Sequence, residues 1–354
     1  MSVAPFATDT PLARVMRERI RRDGPVSVRD WMTTCLTDPQ HGYYRKRTAI
    51  GRAGDFVTAP EISQIFGELI ALWCVGTWQA LRSPPAFDLV ELGPGRGTLM
   101  ADILRTLAKP AIERLGIHDA AHVTLVDVDG ANRATQAAML AKTARPICWC
   151  ERFPTLTRPA IVVANEFLDA EPATQVVMTD SGWRERQIDA NRDDRFEFTV
   201  ATRAPAEAAD LPRATIGTIA EIPHYQSLDW FAAADQPRAM LVVDYGSEGN
   251  LLGDTLQGVR DHRYADPLDA PGETDLSMQV RFSAARTMLK NSGLTITAAT
   301  TQGEFLAAMG IHERASRLMA ANPAEANAIE TAVARLIAPQ GMGARFRVLA
   351  AQAT

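Results

Sequence analysis

Lysine is almost missing from this sequence. Of 354 residues only Lys46, Lys109, Lys142 and Lys290 carry an ammonium, so nearly all of the positive charge is arginine. That is a compositional bias, and no single arginine gains weight from it. The 37 basic residues are outnumbered by 42 acidic ones, giving a net charge of -5 and a pI near 5.8. Such a balance argues against a general nucleic-acid binder, which needs a basic face. Cysteine is scarce as well: Cys35, Cys74, Cys148 and Cys150 form no CxxC pair and no spaced framework. Reduced core thiols in a cytoplasmic protein are the expectation, and a disulfide scaffold is excluded. The histidines show no H-E-x-x-H or other metal-ligand spacing, so no metal is expected. No apolar core of a secretory signal surrounds Asp9. The longest apolar run, Leu69 to Leu81, contains Gln79 and is too short to span a bilayer, so stable membrane insertion is not expected. Repeats and low-complexity tracts are absent, and nothing in the pattern specifies an oligomeric state.

What is present is organised around one stretch, Phe87-Asp-Leu-Val-Glu91-Leu-Gly93-Pro-Gly95-Arg-Gly97-Thr98. Phe87 to Leu92 reads as a short buried strand, and Thr98 to Leu107 as a helix with apolar residues at 99, 100, 103, 104 and 107. Between them Gly93, Gly95 and Gly97 let backbone approach a ligand at a helix N-terminus. A dinucleotide fingerprint would need a further glycine where Thr98 stands. Glu91 also closes the strand, and a carboxylate there suits a ligand with positive charge better than a pyrophosphate.

Along the chain, residues 1–85 read as helical and as a region contributing to the active site, and residues 86–354 as an α/β domain. Pro11 to Arg22 is amphipathic. Ser27 with Asp30, and Thr58 with Glu61, look like capping boxes, the second opening a helix to about Leu81. Glu61 has the alternative of reaching past its own helix. From 86 the period changes to strand, helix, strand. Strands are expected at 123–127, 147–150, 160–164, 240–246, 294–299 and 345–350. Insertions fall at about 174–235, beginning with alternating β segments, and at about 247–290.

Strands ending in Glu91, Asp127, Glu166 and Asp244 each deliver an acid to the carboxyl edge, where open α/β sheets bind ligands. Asp127 is the candidate for ribose hydroxyls, and Asp129 the candidate helix cap. Burying carboxylates without partners costs several kcal/mol, on the order of an ion's desolvation penalty, so a cationic cofactor and a cationic substrate are fitting partners.

The segments Gly54-Asp-Phe-Val-Thr-Ala-Pro-Glu-Ile-Ser-Gln-Ile-Phe-Gly-Glu68, Glu91 to Thr98, Ala164-Asn-Glu-Phe-Leu-Asp169, Val243-Asp-Tyr-Gly246 and Met342-Gly-Ala-Arg-Phe346 resemble the MidA-type methyltransferases. These are bacterial relatives of the mitochondrial complex I assembly factor, and the resemblance runs from about residue 11 to 350. It implies a class I methyltransferase fold, Rossmann-like, with a seven-stranded sheet, the last strand antiparallel, and helical additions. It implies S-adenosyl-L-methionine as cofactor, held by Gly93, Gly95 and Gly97, with Glu91, Asp127 and Asn165 in the same set. Asp127 stands where relatives commonly have glutamate, and Ala59 replaces a frequent serine. The activity implied is protein arginine methylation, on the 49-kDa-type subunit of respiratory complex I.

A guanidinium is a poor nucleophile while its lone pair is delocalised, and carboxylates gripping its other nitrogens would localise the charge. Glu166 is the first choice for that grip, with Asp55 or Asp244 second. Glu171 ranks lower, because Pro172 after it reads as an exposed turn. The alternatives are a small-molecule amine methyltransferase and an assembly chaperone that binds the cofactor without transferring methyl.

Overall fold

The computed structural model describes residues 9–46, 58–128, 130, 132–143 and 145–353. Its central sheet is built from β1 (Phe87–Leu92), β2 (Ala121–Val126), β3 (Ile147–Cys150), β4 (Ala160–Asn165), β5 (Arg238–Ser247), β6 (Thr295–Thr301) and β7 (Phe346–Ala353). Their spatial order is β6-β7-β5-β4-β1-β2-β3, and the short Val280–Arg281 strand adds to β5 as an eighth member. The β1–β5 neighbours pair in parallel, whereas β7 runs antiparallel to both β5 and β6. This is the expected sheet with its reversed last strand. β1 and β4 are buried at every position; β4 accordingly reads as a continuous apolar run up to Asn165, whereas β1 buries Asp88 and Glu91 as well.

Helices cover both faces. Leu69 and Ile70 of Gln64–Ala80 pack with Leu99, Ile103 and Leu104 of Thr98–Leu107 on one side. Leu228 and Phe231 of Gln226–Ala232 pack with Phe282 and Leu289 of Phe282–Asn291 on the other. Each such fully buried side chain contributes about 1.5–3 kcal/mol relative to exposure.

The first helix, Pro11–Asp23, is opened by Thr10, whose hydroxyl accepts the Ala13 N–H at 3.0 Å, and by proline at its first position. Its buried face, Leu12, Met16 and Ile20, does not meet the central sheet. Together with Trp31 and Met32 of Val28–Thr37 it packs on Ile188 of the inserted strands and on Leu268 and Leu276. Those inserted strands, Ala173–Thr179, Gly182–Ala190, Phe196–Val200 and Ile219–Pro223, form a second sheet that Val26–Ser27 joins at its edge. Residues far apart in sequence thus share one core. Residues 59–80, by contrast, belong to the main sheet's covering layer.

Of three local expectations, one holds and two change. Ser27 caps its helix, its hydroxyl accepting the Asp30 N–H at 2.9 Å. Thr58 makes no capping bond, and the helix expected from there is broken into Ala59–Ile62 and Gln64–Ala80 by an extended Ser63 that caps the second piece. Cys35 and Cys74 are core residues, but Cys148 is exposed and Cys150 half-buried on the edge strand β3, their sulfurs 3.9 Å apart. Among the described residues no helix is long and apolar enough to cross a membrane.

Candidate active site

The glycine turn after β1 is forced into its shape by close packing. Gly93, Gly95 and Gly97 have φ of 61°, 52° and 84°, in the left-handed region. At Gly93 a side chain is excluded twice, because an added Cβ would also lie 2.8 Å from the Phe167 ring. Gly97 opens the helix Thr98–Leu107 without a side-chain cap of its own, and of the first-turn N–H groups that of Met100 is taken by Glu91, which leaves the earlier two to face a ligand.

A cleft lies beside this turn, lined by Glu61, Glu91, Gly93, Gly95, Asn165 and Glu166. Glu91 is 97% buried, and its Oε2 has no hydrogen-bond partner among the described residues. Burial pushes its pKa up to about 8, the Met100 N–H opposing and Asp127 adding to the shift. Asn165 is buried too, and its Oδ1 also lacks a partner among the described residues. Two buried acceptor atoms without donors, at the end of adjacent strands, are a costly arrangement unless a ligand brings N–H groups or positive charge. S-adenosyl-L-methionine, with its sulfonium and ammonium, fits both.

Asp127 ends β2 with its N–H held by the Cys150 carbonyl at 2.9 Å. Its Oδ2 accepts from Gln136 Nε2 at 2.8 Å. Glu61 does not cap its own helix: Thr98 donates its hydroxyl to Glu61 Oε1, and Arg96 lies 3.5 Å from Oε2. The short helix Ala59–Ile62 is thereby tied to the glycine turn. Glu166 follows β4 at a φ of 51°, unusual for a non-glycine residue. Its Oε1 accepts from Ala59 N at 3.1 Å and from Asn165 Nδ2 at 3.3 Å. Burial pushes its pKa up to about 7, against the Ala59 bond, and nearby Asp169 adds to the rise.

The structure brings Glu91, Gly93, Gly95, Asn165 and Glu166 to one cleft, with Gly97 in the turn beside it and Asp127 joined to the glycine turn through Gln136. Asp244 is placed differently. It is completely buried, and Oδ2 accepts from the N–H groups of Phe167, Leu168 and Asp169 at 3.0, 2.8 and 3.3 Å while Oδ1 accepts from Tyr245 at 2.8 Å. Burial beside Asp169 raises its pKa well above the usual range. Asp244 thus holds the turn that carries Glu166. Glu171 is not exposed: it caps Gln226–Ala232, accepting from Ser227 N and Oγ at 2.9 Å each. Asp55, with Gly54, Phe56 and Val57, and Asp129 lie outside the described residues.

Sequence reasoning missed Gln136. Its signal was there: with Leu140 it sits at i, i+4 on the buried face of Arg133–Leu140, an apolar position holding an amide.

Sheet order, reversed last strand, glycine turn and unpartnered acceptors together define a class I methyltransferase that uses S-adenosyl-L-methionine. Residues 69–300 match a family model described as S-adenosyl-L-methionine-dependent methyltransferase. The human protein named protein arginine methyltransferase NDUFAF7, mitochondrial, is 34% identical over 371 residues, covering 96% of this chain and 83% of its own. The Drosophila melanogaster homolog is 33% identical over 371 residues, with 96% and 84% covered. A crystal structure from Burkholderia thailandensis bound to S-adenosyl-homocysteine superposes with a TM-score of 0.86 at 28% identity, covering 100% of this chain and 95% of that one. The chain belongs to the MidA-type family of S-adenosyl-L-methionine-dependent methyltransferases.

Proposed function

We propose that this methyltransferase acts on an arginine of a protein, the 49-kDa-type subunit of respiratory complex I, and so aids assembly of that complex. Support comes from the relatives, which are named protein arginine methyltransferases. The observation that carries the reading on this chain is Glu166, a half-buried carboxylate at the cleft whose hydrogen-bond donors, a backbone N–H and an amide, are both neutral. When bound, the cofactor supplies an electrophilic methyl on its sulfonium. Glu91 and Asn165 would face its positive end, the glycine turn and the first helical turn would hold its carboxylate, and Asp127 its ribose. Glu166 would hold the guanidinium nitrogens that do not react, localising positive charge away from the attacking one. Asp244 acts one step back, fixing the turn on which Glu166 stands.

The experiment is Glu166→Gln. Affinity for S-adenosylhomocysteine should stay within about threefold, because the charge removed is not among the cofactor's holders. Transfer to the arginine substrate should fall at least about a hundredfold, the scale of a lost electrostatic contact to the reacting group. In the wild type, kcat/KM should rise with pH toward about 7, as Glu166 of the unliganded site becomes the carboxylate that a guanidinium needs, and turnover in the loaded enzyme should reach its plateau at lower pH because the cation favours the carboxylate. A lysine in place of the target arginine should be rejected, since a compact ammonium cannot use a planar site. Wild-type transfer rates in Glu166→Gln would remove Glu166 from the reaction. Efficient methylation of free amines would favour a small-molecule enzyme, and no transfer to any protein a cofactor-binding chaperone.

A further inference from the structure

Gln136 has no exposed surface, and a buried amide is tolerated only when its groups are satisfied. Here all are used. Nε2 donates to the Gly95 carbonyl at 2.9 Å and to Asp127 Oδ2 at 2.8 Å, and Oε1 accepts from Trp149 Nε1 at 2.9 Å. One side chain therefore joins the middle of the glycine turn, the acid at the end of β2, and the edge strand β3. The helix packs directly on the turn: a Cβ added at Gly97 would make ordinary contact with Gln136 Cα, at 3.4 Å, so it is the φ of 84° that calls for glycine there.

We propose that Gln136 is a positioning residue for the cofactor, its amide aiming the Asp127 carboxylate and the Gly95 peptide together. This rests on the reading of Asp127 as the ribose acid. The Asp127 backbone is already fixed by the Cys150 carbonyl, at 2.9 Å, so what the amide adds is the direction of the side chain. Its second N–H binds the turn, so the part of the site that meets the ribose and the part that meets the methionine end are held in register by one planar group. Asparagine is a methylene too short to span these partners. Glutamate would set an acceptor against two acceptors. Methionine fills the same space and makes none of the bonds.

The test is calorimetric titration of the full-length protein with S-adenosylhomocysteine, using Gln136→Met, Asp127→Ala and the double variant. Each single change should weaken binding by about tenfold, the scale of one lost hydrogen bond to a charged group. Because the amide acts partly through Asp127, the double variant should fall clearly short of the product of the two factors. For the methyl donor itself, Gln136→Met should raise KM with kcat nearly unchanged. A purely packing role would lower the melting temperature without this coupling. The proposal is overturned if the two factors multiply, or if folded Gln136→Met binds within twofold of wild type. Asp127→Ala at wild-type affinity would strike the ribose reading itself, and is told apart because it is read on Asp127 alone. Should Gln136→Met fail to fold, the wild-type amide can be followed from its far end. The Trp149 indole N–H resonance, assigned with Trp149→Phe, should shift in Asp127→Ala and on ligand binding, and an unmoved signal in both counts against the proposal.

Discussion

The two halves of the sheet's carboxyl edge use acids in opposite ways. Beside β1 and β2, Glu91 keeps a buried oxygen without a donor, and Asp127 is aimed by a side chain from the next helix. Beside β4 and β5, Asp244 gives both oxygens to the backbone of the neighbouring turns, and Glu171 gives both to Ser227. From sequence Glu91, Asp127 and Asp244 look alike, acids at the ends of apolar strands, and only Glu171 stands apart as a turn residue before Pro172. The loops next to them set them apart. After β1 the glycine turn makes no demand on the acid, and Glu91, bonded by the Met100 N–H on one side, keeps its other oxygen without a donor among the described residues. After β4 the non-glycine turn Glu166-Phe-Leu-Asp169 has three N–H groups to satisfy, and an acid from the adjacent strand does so. A carboxylate at the ligand edge is a site candidate only when the next loop does not need it.

The comparison is broken most severely at Gly93. Replacing it by valine would impose a side chain on a φ of 61° and set a Cβ 2.8 Å from Phe167, a residue of the other half. Cofactor binding should fall below detection, with a stability loss of about 2–4 kcal/mol from strain and overpacking. Titration showing near wild-type affinity in a folded Gly93→Val protein would mean that the turn tolerates what the geometry forbids.

Next comes Asp244. Alanine there strands four backbone N–H groups, so unfolding in urea should show a loss of about 3 kcal/mol or more, the cost of several buried donors left unpaired. Asparagine keeps one acceptor oxygen and should lose less. Among variants that remain folded, Asp244→Asn should keep methyl transfer within about tenfold of wild type, far above Glu166→Gln. If Asp244→Asn instead abolishes transfer at unchanged stability, the acid belongs with the reacting groups and the contrast between the two halves fails.

Most of the cofactor half was readable, because it is local. Strand, glycine turn and helix are contiguous from Phe87 to Leu107, and the constraints on Gly93, Gly95 and Gly97 come from backbone conformation. The acceptor half was not, because it is assembled at long range. Glu166 meets Ala59 across more than a hundred residues, Asp244 meets Phe167 across the strand pair, and Glu171 meets Ser227 through the insertion. Glu61 illustrates the boundary. Spacing from Thr58 favoured a local cap, yet Thr98 and Arg96 offered it better partners. Likewise the N-terminal helices read correctly as helices, but their docking on the inserted strands depends on Val26–Ser27 pairing with residues 187 and 188, which no local pattern announces.

The finest measure of the contrast is the proton on Glu91. Burial pushes its pKa from 4.5 to about 8, so in the ligand-free protein the folded state binds this proton more tightly than the unfolded chain does. The stability associated with it is fully present below about 4.5 and is lost as pH rises through about 8, at up to about 1.4 kcal/mol per pH unit. A cationic ligand next to the carboxylate reverses the preference and expels the proton. Near pH 6.5, binding should therefore release a fraction of a proton approaching one from this group, and affinity should strengthen as pH rises toward 8. Calorimetry in two buffers of different ionisation enthalpy measures the release, and its difference between wild type and Glu91→Gln isolates Glu91 from the ligand's own amine. The variant should bind more weakly, yet its ligand-free form should lose less stability between pH 5 and pH 8. Asp244 should give no such linkage, since its oxygens are committed to backbone donors whether or not the cleft is filled. Equal proton release in wild type and Glu91→Gln would show that the unpartnered oxygen does not meet the ligand's charge.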